Sequence, residues 1–245
     1  MSACARSGWL EPGRSMSTLE PFGADIWIAA GPIVTSAGFR YPTRMALIRL
    51  ADGGLFVWSP VSLPSALRAS VDALGEVRFI AAPNALHHLS LVEWKNAYPR
   101  AMFYAPPGLR ARRNDIAFGG DLGDAPPPDW AGQIDQVVVR GNLITTEIVF
   151  FHRKSGVVLF TDLLQNFPAD WFTGWRASIA RMDRMIAHEP QVPQKFRSAF
   201  VNRKAARESL AKIMAWPAEK VLMAHGQPIQ ADGGAYLRRA FRWLR

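Results

Sequence analysis

The sequence almost lacks cysteine. Its single thiol, Cys4, lies within the first 20 of 245 residues. An internal disulfide and a cysteine-rich metal knuckle are therefore excluded, and a reducing, cytoplasmic setting is the default expectation. Long apolar runs are missing too. A membrane-spanning helix needs about 20 predominantly apolar residues, and the longest run here, residues 145–151, is followed by charge. A secretory signal needs an apolar stretch behind a basic start, and residues 1–20 have none. They mix Ser, Gly, Pro and Arg around a lone Trp9. We expect residues 1–18 to form a disordered tail, with Met16 an alternative start, and residues 19–245 to form one domain. No internal repeat, low-complexity tract or clear linker divides that domain.

Lysine is the third scarcity. Only six of the 29 basic residues are Lys, so the net charge of +9 is an arginine charge. A basic balance admits nucleic acid or an anionic membrane as partner. The arginines gather at Arg110, Arg112 and Arg113, along residues 176–212, and at Arg238, Arg239, Arg242 and Arg245. None of these clusters has the interleaved aromatics of an RNA-binding motif. Solvated faces, or contact with an acidic small ligand, are the preferred reading ahead of nucleic acid. What remains is ordinary: 49% hydrophobic and 20% charged residues place the chain among soluble globular domains.

Short apolar strands punctuated by Gly and Pro run through the first two thirds. Residues 26–30 read as a strand closed by Gly31-Pro32. Residues 45–50 and 55–58 form a hairpin around Asp52-Gly53-Gly54, where a tight turn needs positive φ. Residues 65–74 are helical, with Leu67, Val71 and Leu74 at helical spacing. The strand at 77–82 leads into Pro83-Asn84-Ala85-Leu86-His87-His88, and a helix follows at 91–97. Residues 101–105 are a strand. Residues 110–131, rich in Gly and Pro, read as an irregular excursion with little core. Residues 134–139 are a strand, and 145–152 with 157–160 make a hairpin. Helices are expected at 175–188, with Ile179, Met182 and Ile186 on its apolar side, at 202–216 behind an Asn202 cap, and at 235–244. A last strand covers 220–224. Two groups of strands, each followed by helices, suggest two packed sheets with helices outside.

Four strand ends carry polar residues that the strands do not explain: Ser59, the His87-His88 pair, Thr161-Asp162 and His225. Strand ends hold functional groups well because the sheet fixes them. Imidazole and carboxylate together suit zinc, iron or manganese. Each has a plainer alternative. One of His87 and His88 could face the core and the other solvent. Asp162 could cap a following helix, and His225 could be a turn residue. His152, beside Arg153 and Lys154, reads as exposed. His188 reads as a helix-end residue suited to the negative end of the dipole.

The order of these elements resembles the metallo-β-lactamase-like superfamily. More closely, Pro83-Asn84-x-x-His87-His88, Tyr104-Ala105-Pro106-Pro107-Gly108, Thr161-Asp162-Leu163-Leu164 and His225-Gly226 resemble a bacterial family of unknown function on that fold, over roughly residues 19–244. The resemblance implies an α/β, four-layer αββα sandwich with metal at one edge. It also implies losses. The superfamily's His-x-His-x-Asp-His loop places Pro83 and Ala85 where its first two histidines stand. Its next histidine falls on Asn142. All three serve one metal position, which is thereby erased. The other position would keep His87, His88, Asp162 and His225, a mononuclear zinc or iron site. The strand-end Asp that orients the loop in the superfamily is replaced by Ser59.

The resemblance implies a metal-dependent hydrolase acting on a small anionic ester, thioester, amide or phosphoester. Arg110, Arg112 and Arg113, with Asn142, are its candidates for substrate contact; the plainer alternative for the arginines is a solvent-facing loop. No organic cofactor and no membrane span are expected. The alternatives are an inactive member serving as a binding module, and a nucleic-acid-processing protein. Four protein ligands would saturate zinc, as in structural sites.

Overall fold

The computed structural model describes residues 18–186, 189 and 191–244. A first sheet contains, in spatial order, β1 (Glu20–Gly23), β2 (Ile26–Ser36), β3 (Phe39–Arg49), β4 (Leu55–Trp58), β5 (Val77–Ala81), β6 (Met102–Ala105) and β7 (Phe118–Asp121). The strands β1 to β4 are antiparallel neighbours. From β4 to β7 the pairing is parallel. Parallel neighbours need a crossover, and helices α1 (Ser65–Asp72), α2 (Leu91–Ala97) and α3 (Leu109–Arg112) lie in these connections. The second sheet holds β8 (Ile134–Val139), β9 (Glu147–His152), β10 (Val157–Asn166) and β11 (Lys220–Gly226), in the order β11-β10-β9-β8. Two further helices, α4 (Trp175–Met182) and α5 (Gln194–Ala199), connect β10 to α6 (Arg203–Met214). After β11 come α7 (Gly233–Ala240) and a 3₁₀ turn at Arg242–Leu244.

Strand alternation builds the layers. Successive side chains point to opposite faces of a sheet. In β4, Phe56 and Trp58 join the core between the sheets, while Leu55 and Val57 pack with Leu67, Val71, Leu91 and Trp94 of α1 and α2. In β9, Ile148 and Phe150 face the other sheet. Val149 and Phe151 face outward against Leu210 and Ile213 of α6 and Leu237 of α7. The result is the expected αββα sandwich. Between its sheets, Trp130 packs edge-on against Phe56, Phe79 and Tyr104, with ring centroids 4.9, 5.4 and 4.6 Å apart. Burying such rings is the largest single contribution to a core of this kind, about 1.5–3 kcal/mol for a Phe-sized side chain.

Several local expectations change. Gly31-Pro32 does not close a strand; it lies inside β2, where the pairing with β3 shifts register between Gly31 and Val34. Pro has no N–H to give a ladder, and a bulge asks for none. Residues 110–131 are not an excursion without core. They contain the end of α3, β7 and the buried Ile116, Phe118, Leu122 and Trp130. Gly119 and Gly120, which read as loop residues, lie in β7, where a Cβ would overlap the side chains of Met102 and Tyr104. Here glycine marks close packing in a strand. The helix from 175 ends at Met182, and Arg184 takes a left-handed φ of 59°. Its buried residues are Ala177 and Ala180, while Ile179 and Met182 are exposed. Asn202 caps α6 as expected, accepting from the Ala205 N–H at 3.1 Å. Asp162 caps no helix; it lies within β10. His188, Cys4, Met16 and the expected tail, apart from Thr18, lie outside the described residues.

Candidate metal centre

The chain brings three of its sequence-marked residues to one point. His87 lies in the loop after β5, Asp162 within β10, and His225 next to last in β11. One donor atom from each lies within 4.8 Å of the others. His87 Nε2 is 3.3 Å from Asp162 Oδ2, and His225 Nε2 is 3.5 Å from Asp162 Oδ1. Asp162 and His225 are buried, and His87 is nearly so. Donors around a tetrahedral ion at about 2.0–2.1 Å stand about 3.3 Å apart. His87 stands near that spacing from Oδ2 and His225 from Oδ1, so the two rings flank the carboxylate on different oxygens.

Each imidazole is turned by a bond at its far nitrogen. His225 Nδ1 lies 2.7 Å from the Pro42 carbonyl of β3. A carbonyl only accepts, so Nδ1 carries the proton and Nε2 presents its lone pair to Asp162. His87 Nδ1 lies 2.8 Å from Ser59 Oγ. Ser59 follows β4 with a left-handed φ of 53°, a conformation that costs a non-glycine residue energy and tends to persist at sites. Where the family resemblance implies an orienting carboxylate, a strained serine supports the ring. Arg44 adds a clamp at β11, its Nη1 donating to the carbonyls of Met223 and of Gly226, the latter at 2.8 Å. Tyr41 stands edge-on to His225 at 5.6 Å, and Lys195 Nζ donates to its hydroxyl at 3.0 Å.

Two further buried residues belong to the site. Asn84 Nδ2 donates to Asp162 Oδ2 at 2.6 Å and to Thr161 Oγ1 at 2.9 Å. Its Oδ1 accepts from the Leu86 and His87 N–H groups at 2.8 and 3.3 Å. One amide thus joins the histidine loop of the first sheet to β10 of the second. Glu147, fully buried at the start of β9, accepts from the N–H groups of Thr161, Asp162 and Leu163. Neither was singled out for chemistry from the sequence. The available signal was a lone carboxylate opening an apolar strand, with nothing local to pair it.

Electrostatics follow burial. Burial pushes the His225 imidazole down to about 4, outweighing the opposing pull of the Asp162 charge. Burial works against ionising Asp162, but the hydrogen bond and charge of His87, the charge of His225 and the Asn84 amide hold its carboxyl well below the usual range. Burial pushes Glu147 up to about 7, and the Asp162 charge adds to it; bonds from Thr161 and Leu163 pull the other way.

The other candidates stand apart. His88 is not in the cluster. Arg113 Nη1 lies 2.9 Å from its Nδ1 and donates to its carbonyl at 2.6 Å. Burial, then the Arg113 and Arg112 charges, lower its pKa. Arg113 also grips Asp115 at 2.7 and 2.8 Å, Arg112 donates to the Ala85 carbonyl at 3.2 Å, and Arg110 pairs with Asp121. Asn142 Nδ2 donates to the Phe196 carbonyl at 2.8 Å, while its Oδ1 accepts from Ile144 and Thr145 N–H groups. It organises a loop.

A family model described as "Domain of unknown function (DUF4336)" matches residues 37–172. No curated protein matches the sequence. Among solved structures, the DIM-1 metallo-β-lactamase exposed to ceftazidime matches with a TM-score of 0.60 at 13% identity, over 93% of this chain and 97% of that one. The metal-soaked Flv1 flavodiiron core from Synechocystis sp. PCC6803 gives 0.61 at 12% identity, over 93% of this chain and 60% of that one. FIM-1 from Pseudomonas aeruginosa, in a mono-zinc form, gives 0.59 at 10% identity, over 93% and 94%. At these identities the likeness establishes the fold, and it is the fold that the order of elements led us to expect.

Proposed function

This chain belongs to the family described as a domain of unknown function (DUF4336), and on its metallo-β-lactamase fold we propose a metal-dependent hydrolase whose one zinc or iron site is held by His87, Asp162 and His225. The observation that carries this reading is the direction of the two rings. Each ties Nδ1 to a neighbour and aims Nε2 at the Asp162 carboxylate. In His225 that leaves a lone pair facing a carboxylate oxygen in a buried setting, an arrangement that a cation relieves. Burial, which keeps His225 neutral, also keeps it fit to be a ligand. The hydrogen bonds to Ser59 and Pro42 fix ring orientation in the way that outer partners of metal-bound histidines do.

Three protein donors, rather than the four expected, are the count of catalytic zinc sites, which keep one position open. His88 then supports the loop through Arg113. A bound divalent cation polarises an acyl or phosphoryl oxygen and brings the pKa of water toward neutrality. The chain's own part is to keep Asp162 ionised, His225 neutral and His87 aimed. In this reading Arg110 is engaged by Asp121 and by the Phe118 carbonyl, while Arg112 and Arg113 hold the histidine loop.

The test is metal content after growth with zinc and iron. We expect about one equivalent in the wild type, and loss of most of it in His87→Ala, Asp162→Asn and His225→Ala. A wild-type protein that retains no metal, and takes up none on titration, would falsify the reading. Burial of Asp162 and His225 favours a second reading, a metal-binding module without turnover. Loaded protein that cleaves no member of a panel of chromogenic esters, thioesters and phosphoesters would select it.

A further inference from the structure

Glu147 is a carboxylate with no exposed surface and, among the described residues, no lysine or arginine partner. Its two oxygens are met by backbone N–H groups. Oε1 accepts from the Thr161 N–H at 2.6 Å, and Oε2 accepts from the Asp162 and Leu163 N–H groups at 2.9 and 3.0 Å. Successive N–H groups of a regular strand point to opposite sides. Three in a row reach one carboxylate only if the strand curls, forming the kind of concavity that binds anions.

The curl is visible in the pairing. Phe160 pairs with Met223, but the next pair is Gln165 with His225, so four residues of β10 stand against Ala224 alone on β11. The pairing of β10 with β9 stops at Leu159 and Phe150. Thr161, Asp162 and Leu163 thus lose their ladder partners on both sides. Buried N–H groups need acceptors, and Glu147 supplies them. The same distortion re-aims a side chain, as bulges beside sites commonly do. Asp162 turns between His87 and His225, with Asn84 holding Oδ2.

We propose that Glu147 is the positioning residue of the centre: its buried carboxylate shapes the β10 bulge that aims Asp162 at the two imidazoles. This rests on the reading of His87, Asp162 and His225 as metal ligands. It also explains why a carboxylate is required. Glutamine has the same length but offers one acceptor oxygen, and its NH2 group would face N–H donors.

The experiment compares the wild type with Glu147→Gln and, as a control, Ile213→Ala, a core truncation on α6, the helix packed on β8. Zinc affinity is measured by competition with a chromophoric chelator, at a temperature where all three are folded. Loss of an outer partner typically weakens metal binding about 10–100-fold. We expect that loss in Glu147→Gln and a change under about threefold in Ile213→Ala, whose apolar side chain makes no hydrogen bond to the centre. A folded Glu147→Gln protein that binds zinc within about threefold of the wild type overturns the proposal. If that variant does not fold, metal-free wild type decides. The Thr161, Asp162 and Leu163 amide protons should exchange slowly and resonate downfield, as donors to a carboxylate. Fast exchange at all three overturns the assignment. Wild type that binds no zinc but shows these protected amides sinks the metal reading and leaves the anchoring role standing.

Discussion

His152 lies on β9 with 3% of its surface exposed and Nδ1 2.7 Å from Ser155 Oγ. Its neighbours Arg153 and Lys154 suggested an exposed turn residue, but the turn begins after it and the ring points inward. Burial pushes its pKa down to about 4, against the opposing pull of the Asp25 charge. The folded state therefore keeps the ring neutral, while the unfolded chain takes up a proton below about 6.5. Stability tied to this group is present above about 6.5 and is lost as pH falls toward 4, in total on the order of 3 kcal/mol. His152→Gln removes the titration and keeps a polar partner for Ser155. Urea midpoints measured from pH 7 to 4 should fall less steeply in the variant than in wild type. Parallel curves would show that His152 is not the group responsible.

Elements meet at glycines whose role the sequence hides. Gly141 follows β8 with a φ of 88°, and a Cβ there would overlap the Asn202 carbonyl oxygen. Its own carbonyl accepts from the Val201 N–H at 3.0 Å. That contact seats the N-terminus of α6 on the loop carrying Asn142. Gly141→Ala should cost about 1–3 kcal/mol through strain and displacement, read as a lower urea midpoint with an unchanged slope. A midpoint equal to wild type would show that the loop yields without cost. Length, too, was harder to read than position. The turn at residues 52–54, the strand before the histidine pair and the cap of α6 follow from local chemistry and were legible. The long hairpin of β2 and β3 was not, because its bulge places Gly and Pro where they imitate a terminus.

At the scale of the molecule, the candidate centre ties the two sheets together. His87 comes from the first, Asp162 and His225 from the second, and Asn84 bridges them. A cation bound there adds stability to the folded state alone. At about 1,000 times its dissociation constant the gain is about 4 kcal/mol, which for a chain of this size raises the melting temperature by roughly 10 °C. Differential scanning calorimetry with zinc and with chelator should show that shift within one transition. If zinc leaves the transition where chelator does, no site links the sheets. The three arginines at 110–113 make a similar point at lower stakes. They read as a substrate clamp because they cluster in sequence. In space Arg112 and Arg113 brace the histidine loop, through Ala85 and His88.

The sequence by itself determined the alternation that makes two-faced strands, the helical stripes that cover them, and the residue types that can meet a cation. Those depend on local period and side-chain chemistry, both written residue by residue. Tertiary structure decided which histidines converge and what holds them. His87 and His88 are indistinguishable as neighbours; only packing separates them, the end of α3 bringing Arg113 to His88 and β10 of the other sheet bringing Asp162 to His87. Glu147 and Asp162 are separated by a hairpin whose β10 strand bulges, and a bulge arises from competition between ladders, which no single segment encodes. The burial that lowers His225 and raises Glu147 exists only once both sheets have closed over them.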